Sequence, residues 1–134
     1  MKDIYINTAF PPTVNSYYVK TRNGVFISKR GKLFREGCAR DAMESSTYGI
    51  KLSCPLQLDV ILYPPDRRIR DLDNYMKALL DALTHAKVWM DDSLIDGLNI
   101  HRGKVIKGGA ASLRIAEHNG FILPNDPDVW NFID

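Results

Sequence analysis

The chain has 134 residues, a hydrophobic fraction of 45%, a charged fraction of 25% and a formal net charge of +2. That is enough for one domain with a real core, of ordinary globular composition, and it leaves no room for a second. No apolar run approaches the roughly 18 residues of a membrane span, and the opening from Met1 to Phe10 is too mixed for a signal peptide.

Ile4 and Ile6 alternate with polar residues, so residues 2–7 are predicted as a first strand. Pro11 and Pro12 break the pattern through Tyr18, since two prolines cannot sit inside a sheet. Residues 17–20 and 25–27 flank Arg22-Asn23-Gly24, a hairpin signal because Asn-Gly tolerates positive φ. Ser28 is suited to cap a helix running to about Ser46. Leu33, Phe34, Cys38 and Ala42 form its expected inner stripe, with Lys32, Arg35 and Arg40 turned away. Gly37 weakens that helix by about 1 kcal/mol relative to alanine.

Residues 56–63 place Leu56, Leu58, Val60 and Leu62 on one face of a strand that Pro64-Pro65 ends. A second helix is predicted from Asn74 to about Ala86, burying Met76, Leu79, Leu80 and Leu83. Val88 to Met90 is short and apolar, and residues 95–102 and 111–117 read as two further strands joined through Lys107-Gly108-Gly109. Helices and strands mix without strict alternation, so the expected class is α+β, with one mixed β-sheet packed against two main helices. Residues 1–117 are expected to form the domain. The tail 118–134, apolar through Phe121, Ile122, Trp130 and Phe132, is expected to dock on that domain or on a partner subunit. Cys38 and Cys54 belong to no ligand-like cluster and read as buried free thiols in a reducing cytosol.

Charge is unevenly distributed. Between Lys20 and Arg40 the chain carries Lys20, Arg22, Lys29, Arg30, Lys32, Arg35 and Arg40 against Glu36 alone. A basic front on a nearly neutral protein suits a polyanion, although a solvated helix face gives the same pattern.

The densest charge lies between Asp66 and Asp73, where Arg67, Arg68 and Arg70 stand against Asp71 and Asp73. In extended backbone, residues two apart aim their side chains to one side. A helix over residues 74–86 rises roughly 20 Å at about 1.5 Å per residue. The extended segment 87–92 covers a similar length at about 3.3 Å each. A chain that doubles back along the helix would therefore bring Asp92 within reach of Asp71 and Asp73. Converging carboxylates need a cation, and hard divalent ions such as Mg²⁺ take such oxygen ligands while keeping waters. With one or two bound, such a site can activate water and support phosphoryl transfer. Lys77 is placed to face the same site, and the guanidinium groups of Arg67, Arg68 and Arg70 suit neighbouring phosphates. The plainer reading is that the aspartates cap the helix, that Asp73–Lys77 and Lys77–Asp81 are i,i+4 surface pairs, and that Asp91-Asp92 is a turn. His85 reads as structural, and no Ser-His-Asp arrangement, zinc motif or nucleotide-binding glycine loop occurs.

Taken together and in order, several segments resemble the RusA family of Holliday-junction resolvases. They are residues 11–18, residues 66–74 with Lys77, residues 81–84, Trp89-Met90-Asp91-Asp92 and Lys107-Gly108-Gly109. The resemblance spans about Ile4 to Glu117. It implies a RusA-like fold and a structure-specific endodeoxyribonuclease that resolves four-way DNA junctions by paired symmetric nicks, in recombination and repair. It further implies dependence on Mg²⁺, with Mn²⁺ able to substitute, a homodimer, and a cytoplasmic protein of a bacterium or phage that needs neither membrane nor nucleotide cofactor. Carried over by position, Asp71, Asp73 and Asp92 match the metal-binding carboxylates and Lys77 the essential lysine; Asp91 is the less certain of its pair. Arg67, Arg68 and Arg70 match a basic run beside the site, which Ile69 interrupts here, and Lys29, Arg30 and Lys32 are further candidates for DNA contact. Tyr17 and Tyr18 suit either base stacking or the core. The alternatives are a non-catalytic branched-DNA-binding protein of the same fold and a structural protein whose charges only solvate it.

Overall fold

The computed structural model describes residues 1–120. Its described elements are, in order, β1 (Ile4–Thr8), α1 (Val14–Tyr17), β2 (Tyr18–Thr21), β3 (Gly24–Ile27), α2 (Lys29–Glu44), β4 (Leu56–Tyr63), α3 (Met76–His85), β5 (Ile95–Arg102) and β6 (Ala110–Glu117). The expected docking of the tail falls on residues 121–134, outside the described residues.

Four strands form a mixed sheet in the order β1-β6-β4-β5. β6 runs antiparallel to both β1 and β4, whereas β5 is parallel to β4. A parallel pair needs a crossover, and α3 supplies it between β4 and β5. On one face, Leu56, Leu58, Val60 and Leu62 of β4 join Ile6, Leu113 and Ile115 against Phe34, Cys38 and Ala42 of α2 and Ala78, Leu79, Ala82 and Leu83 of α3. Each of these larger side chains, fully buried, is worth about 1.5–3 kcal/mol relative to exposure. The other face mixes Gln57, Asp59 and Arg114 with exposed Tyr5 and Ile61. Arg114 there bridges Asp3 at 2.9 Å and Asp59 at 2.6 Å.

The predicted hairpin is the separate β2-β3 ribbon, with Gly24 at φ 126°. Ser28 caps α2, accepting from the Gly31 amide at 2.9 Å. Leu33 does not join the inner stripe: it is 58% exposed. Phe34, Cys38 and Ala42 recur every four residues and define the buried side, which leaves Leu33 about 100° off it. Arg35 likewise departs from its expected outward position, for a reason given below. Gly109 of the β5–β6 connection combines φ 73° with a backbone so close to Phe10 that a Cβ would lie 2.6 Å from the ring-bearing carbon.

α3 is preceded by a 3₁₀ turn, Leu72–Tyr75, so the predicted helix begins in tighter geometry. It ends in a Schellman arrangement. Lys87 takes φ 56°, its amide donates to Thr84 O at 2.9 Å, and the Val88 amide donates to Leu83 O at 3.2 Å. The chain then reverses through Trp89, fully buried, whose Nε1 donates to Thr84 Oγ1 at 2.7 Å and whose backbone bridges to Leu52. No described helix is long and apolar enough to cross a membrane.

Candidate active site

Residues 11–18, which the prolines marked only as a break, contain the short helix α1. Thr13 caps it through the Ser16 amide at 3.3 Å. α1 delivers Tyr17 into the core, fully buried, so of the two roles open to Tyr17 the structure gives it the interior one. Its hydroxyl donates to Asp81 of α3 and accepts from Arg35 Nε of α2 at 2.8 Å. Arg35 Nη2 reaches the same Asp81 oxygen at 2.7 Å. This is why Arg35 faces inward: one partly buried carboxylate ties all three helices together.

Burial alone would raise the Asp81 carboxyl, but the hydrogen bonds from Tyr17 and Arg35 outweigh it and hold it below its ordinary value. Burial, with the Asp81 bond adding to it, pushes the Tyr17 hydroxyl well above its ordinary range. The phenol therefore stays protonated and remains a donor.

Lys77 lies one turn before Asp81 and is exposed. Neither expected surface pair forms among the described residues: Asp81 is taken by Arg35, and Lys77 makes no ion pair. Asp71 stands at the start of the 3₁₀ turn without a capping hydrogen bond from its side chain. It and Asp73 are exposed, and their carboxylates have no hydrogen-bond or salt-bridge partner among the described residues. Asp91 behaves otherwise. Its Oδ2 accepts from the Ser93 amide at 3.3 Å and from the Ser93 hydroxyl, capping the turn Asp92–Leu94. That bond to Ser93 holds Asp91 below its ordinary value. Asp92, half-buried, is the unengaged member of the pair.

The 92–94 turn packs against α3. Tyr18, half-buried at the start of β2, is raised first by burial and then by Asp81, with Lys77 and Arg35 opposing and Asp92 adding. It thus sits within the electrostatic reach of Lys77, Asp81, Arg35 and Asp92 and belongs to this surface. Among the described residues, no three carboxylate, imidazole or thiol groups stand together as a ready-made metal cage. After Trp89 the chain feeds β5, whose first residue, Ile95, pairs with Leu56 at the start of β4.

Among the basic residues, Lys29, Arg30, Lys32, Arg67 and Arg68 are exposed. Arg70 is not a free cation. Its Nη1 donates to Asp66 Oδ1 at 2.7 Å, and its guanidinium lies 5.7 Å from the centre of the Phe10 ring.

Residues 9–116 match the family model described as Endodeoxyribonuclease RusA. The chain belongs to the RusA endodeoxyribonuclease family. It is 38% identical over 117 residues to the crossover junction endodeoxyribonuclease of Enterobacteria phage 82, covering 87% of this chain and 97% of that one. It is 36% identical, over the same shares, to the proteins so named from Escherichia coli K12 and from Shigella sonnei. The α+β fold with its mixed sheet is that of a RusA protein, and the relatives come from phage and bacteria alike.

The structure thus moves Arg35 from its expected solvated face, and Asp81 from its expected surface pair with Lys77, into one brace between helices. No local pattern announces this partnership, since Tyr17 and Arg35 lie 64 and 46 residues from Asp81.

Proposed function

We propose that this chain is a crossover junction endodeoxyribonuclease that acts on four-way DNA as a cytoplasmic homodimer and requires Mg²⁺, with Mn²⁺ as a substitute. One observation carries the reading. Asp71, Asp73 and Lys77 occupy adjoining exposed positions at the start of α3 yet cap nothing and pair with nothing among the described residues. Charges that stabilise their own fold are normally engaged, as Asp66, Asp81 and Asp91 are here.

The donor chemistry fits a hard divalent ion. Mg²⁺ is ordinarily held by one or two carboxylates, with phosphate oxygens and waters completing its shell, so a three-carboxylate cage is not required. Asp71, Asp73 and Asp92 are the groups available to hold it, and once bound it would supply activation of water and stabilisation of charge on the phosphate. Lys77 is placed to contact the phosphate under attack, where a fixed cation offsets charge developing in the transition state. Arg67 and Arg68, with Lys29, Arg30 and Lys32, would hold the backbone of the arms through salt-sensitive contacts. A two-fold dimer would present two such surfaces to the two-fold junction, as paired nicks require.

The test is a gel assay of the purified protein on a synthetic four-way junction and on linear duplex, with and without Mg²⁺. Paired symmetric nicks in the junction alone are expected with Mg²⁺. Asp73→Asn should abolish them and leave junction binding in place. Tight junction binding without nicks in Mg²⁺ or Mn²⁺ would make the protein a non-catalytic junction binder and refute the roles given to the aspartates.

A further inference from the structure

Ile69 is 99% exposed, the highest value among the large hydrophobic residues described. Single exposed apolar side chains are ordinary, so exposure alone argues nothing. Its setting does. Ile69 lies between Arg68 and Arg70, two residues before Asp71. The groove that it edges, about 370 Å³, is also lined by Arg67, Arg68, Arg70 and Arg102, with Val105 and with Asp66, whose charge Arg70 neutralises. The tip is therefore apolar and its flanks are cationic.

The loop that presents it is braced. Asp66 Oδ1 accepts from the Arg68 amide at 2.9 Å and from Arg70 Nη1 at 2.7 Å. Arg70 Nη1 also reaches Asp66 O at 3.2 Å, and Arg102 Nη2 donates to Arg70 O at 2.9 Å. A loop pinned at both of its arginine-bearing ends holds its middle residue out in solvent. Its side chain carries no polar group that could recognise a phosphate. What the pattern fits is a base step: cations hold the two backbones while an apolar side chain enters between bases, as wedge residues do when they unstack and kink DNA.

Resting on the junction reading above, we infer that Ile69 is a wedge that enters the base stack at the crossover, with Arg67, Arg68 and Arg102 on the flanking phosphates. Unstacked bases at a crossover are cheaper to part than those of continuous duplex, so the wedge favours branched DNA. It also sets the distance between the parted step and Asp71, and so helps fix which phosphate is cut.

The experiment places 2-aminopurine at the crossover of a synthetic junction, and in a second junction within an arm. Fluorescence is read without divalent ions for the wild type, Ile69→Leu, Ile69→Ala and Ile69→Ser. The wild type and Ile69→Leu should raise the crossover signal several-fold and leave the arm signal unchanged. Ile69→Ala and Ile69→Ser should lose the rise, while the dependence of junction affinity on salt, which counts phosphate contacts, keeps its slope. If the wild type prefers the junction over duplex but its crossover signal is indifferent to residue 69, the wedge is refuted and the junction reading stands. If the wild type shows no junction preference, the junction reading itself fails. A change in the sedimentation of the free protein on Ile69→Ala, with the fluorescence rise intact, would reassign Ile69 to a contact between copies of the chain.

Discussion

In α2, Arg35 turns inward to Tyr17 and Asp81 while Lys29, Arg30 and Lys32 face solvent; in the loop before α3, Arg70 folds back onto Asp66 and Phe10 while Arg67 and Arg68 face solvent. Each basic segment thus commits one arginine to its own fold and leaves the others facing solvent, Arg68 with only a 3.8 Å ion pair to Asp66. The two braces differ in reach. Arg35 and Asp81 have side chains only 24% and 27% exposed and connect helices distant in sequence, whereas Arg70 and Asp66 form a local i,i+4 pair whose carboxylate is 44% exposed. A brace between elements stabilises the whole fold. A brace within a loop sets only the loop's shape.

That contrast breaks most readily at Asp81. Asp81→Asn or Arg35→Ala strips one partner from a partly buried pair and should cost about 2–3 kcal/mol, read from urea unfolding, with Tyr17→Phe costing about 1–2 kcal/mol. Because the folded-state Asp81 carboxyl lies below its ordinary value of 3.8, its contribution is full above that pH and is lost as the pH falls through the lower folded value. The wild-type unfolding midpoint should therefore fall in this acid range, and less steeply in Asp81→Asn. Equal destabilisation by Asp81→Asn and Asp66→Ala would erase the distinction drawn above.

Asp66→Ala should leave global stability nearly unchanged, since its carboxylate is largely open to solvent. Its effect belongs in the loop, where trypsin should cut after Arg67, Arg68 or Arg70 several-fold faster than in the wild type. The bonds from Arg70 and the Arg68 amide hold the Asp66 carboxyl down at about 2. The clamp is therefore complete above the ordinary aspartate range and is lost only as the pH falls towards that value. Protection of the Arg68 amide against hydrogen exchange should accordingly survive at pH 4, as NMR would show.

The free cations give the smallest effects. Replacing Lys29, Arg30 or Lys32 singly by alanine should leave stability unchanged, and any of the three that contacts a phosphate should lower the salt slope of DNA binding by about 1.

Much of this architecture was legible where period and punctuation agree. The alternation of Leu56, Leu58, Val60 and Leu62 marked β4, Ser28 marked the start of α2, and Asn23-Gly24 marked the hairpin. Four-residue α1 was too short to show a helical period behind its two prolines. The inward turn of Arg35 was invisible because its cause, Asp81, lies 46 residues away on another helix. At the site, the aspartates and Lys77 stood out as a charged constellation joined to a resemblance in order and spacing. Whether those charges were engaged or free was not legible, since that depends on which neighbours the folded chain brings near: Asp91 finds Ser93 and Asp81 finds Arg35, while Asp71 and Asp73 find no partner among the described residues.

The strand order also bears on how the molecule is made. Among the described residues, β1, the first strand, has β6 as its only sheet neighbour, and β6, the last described, is also what joins it to β4. Arg114 and Asp3, which meet across that pairing, are 111 residues apart in the chain. Closing so long a loop must precede the contacts that reward it, which makes such pairings slow. During synthesis the β2–β3 hairpin, α2 and the β4–α3–β5 unit can all form while β1 still lacks its sheet partner. The candidate site on α3 is then mounted on an unfinished sheet until β6 has emerged from the ribosome, so a chain interrupted before Ala110 is expected to yield neither a stable domain nor a stray nuclease.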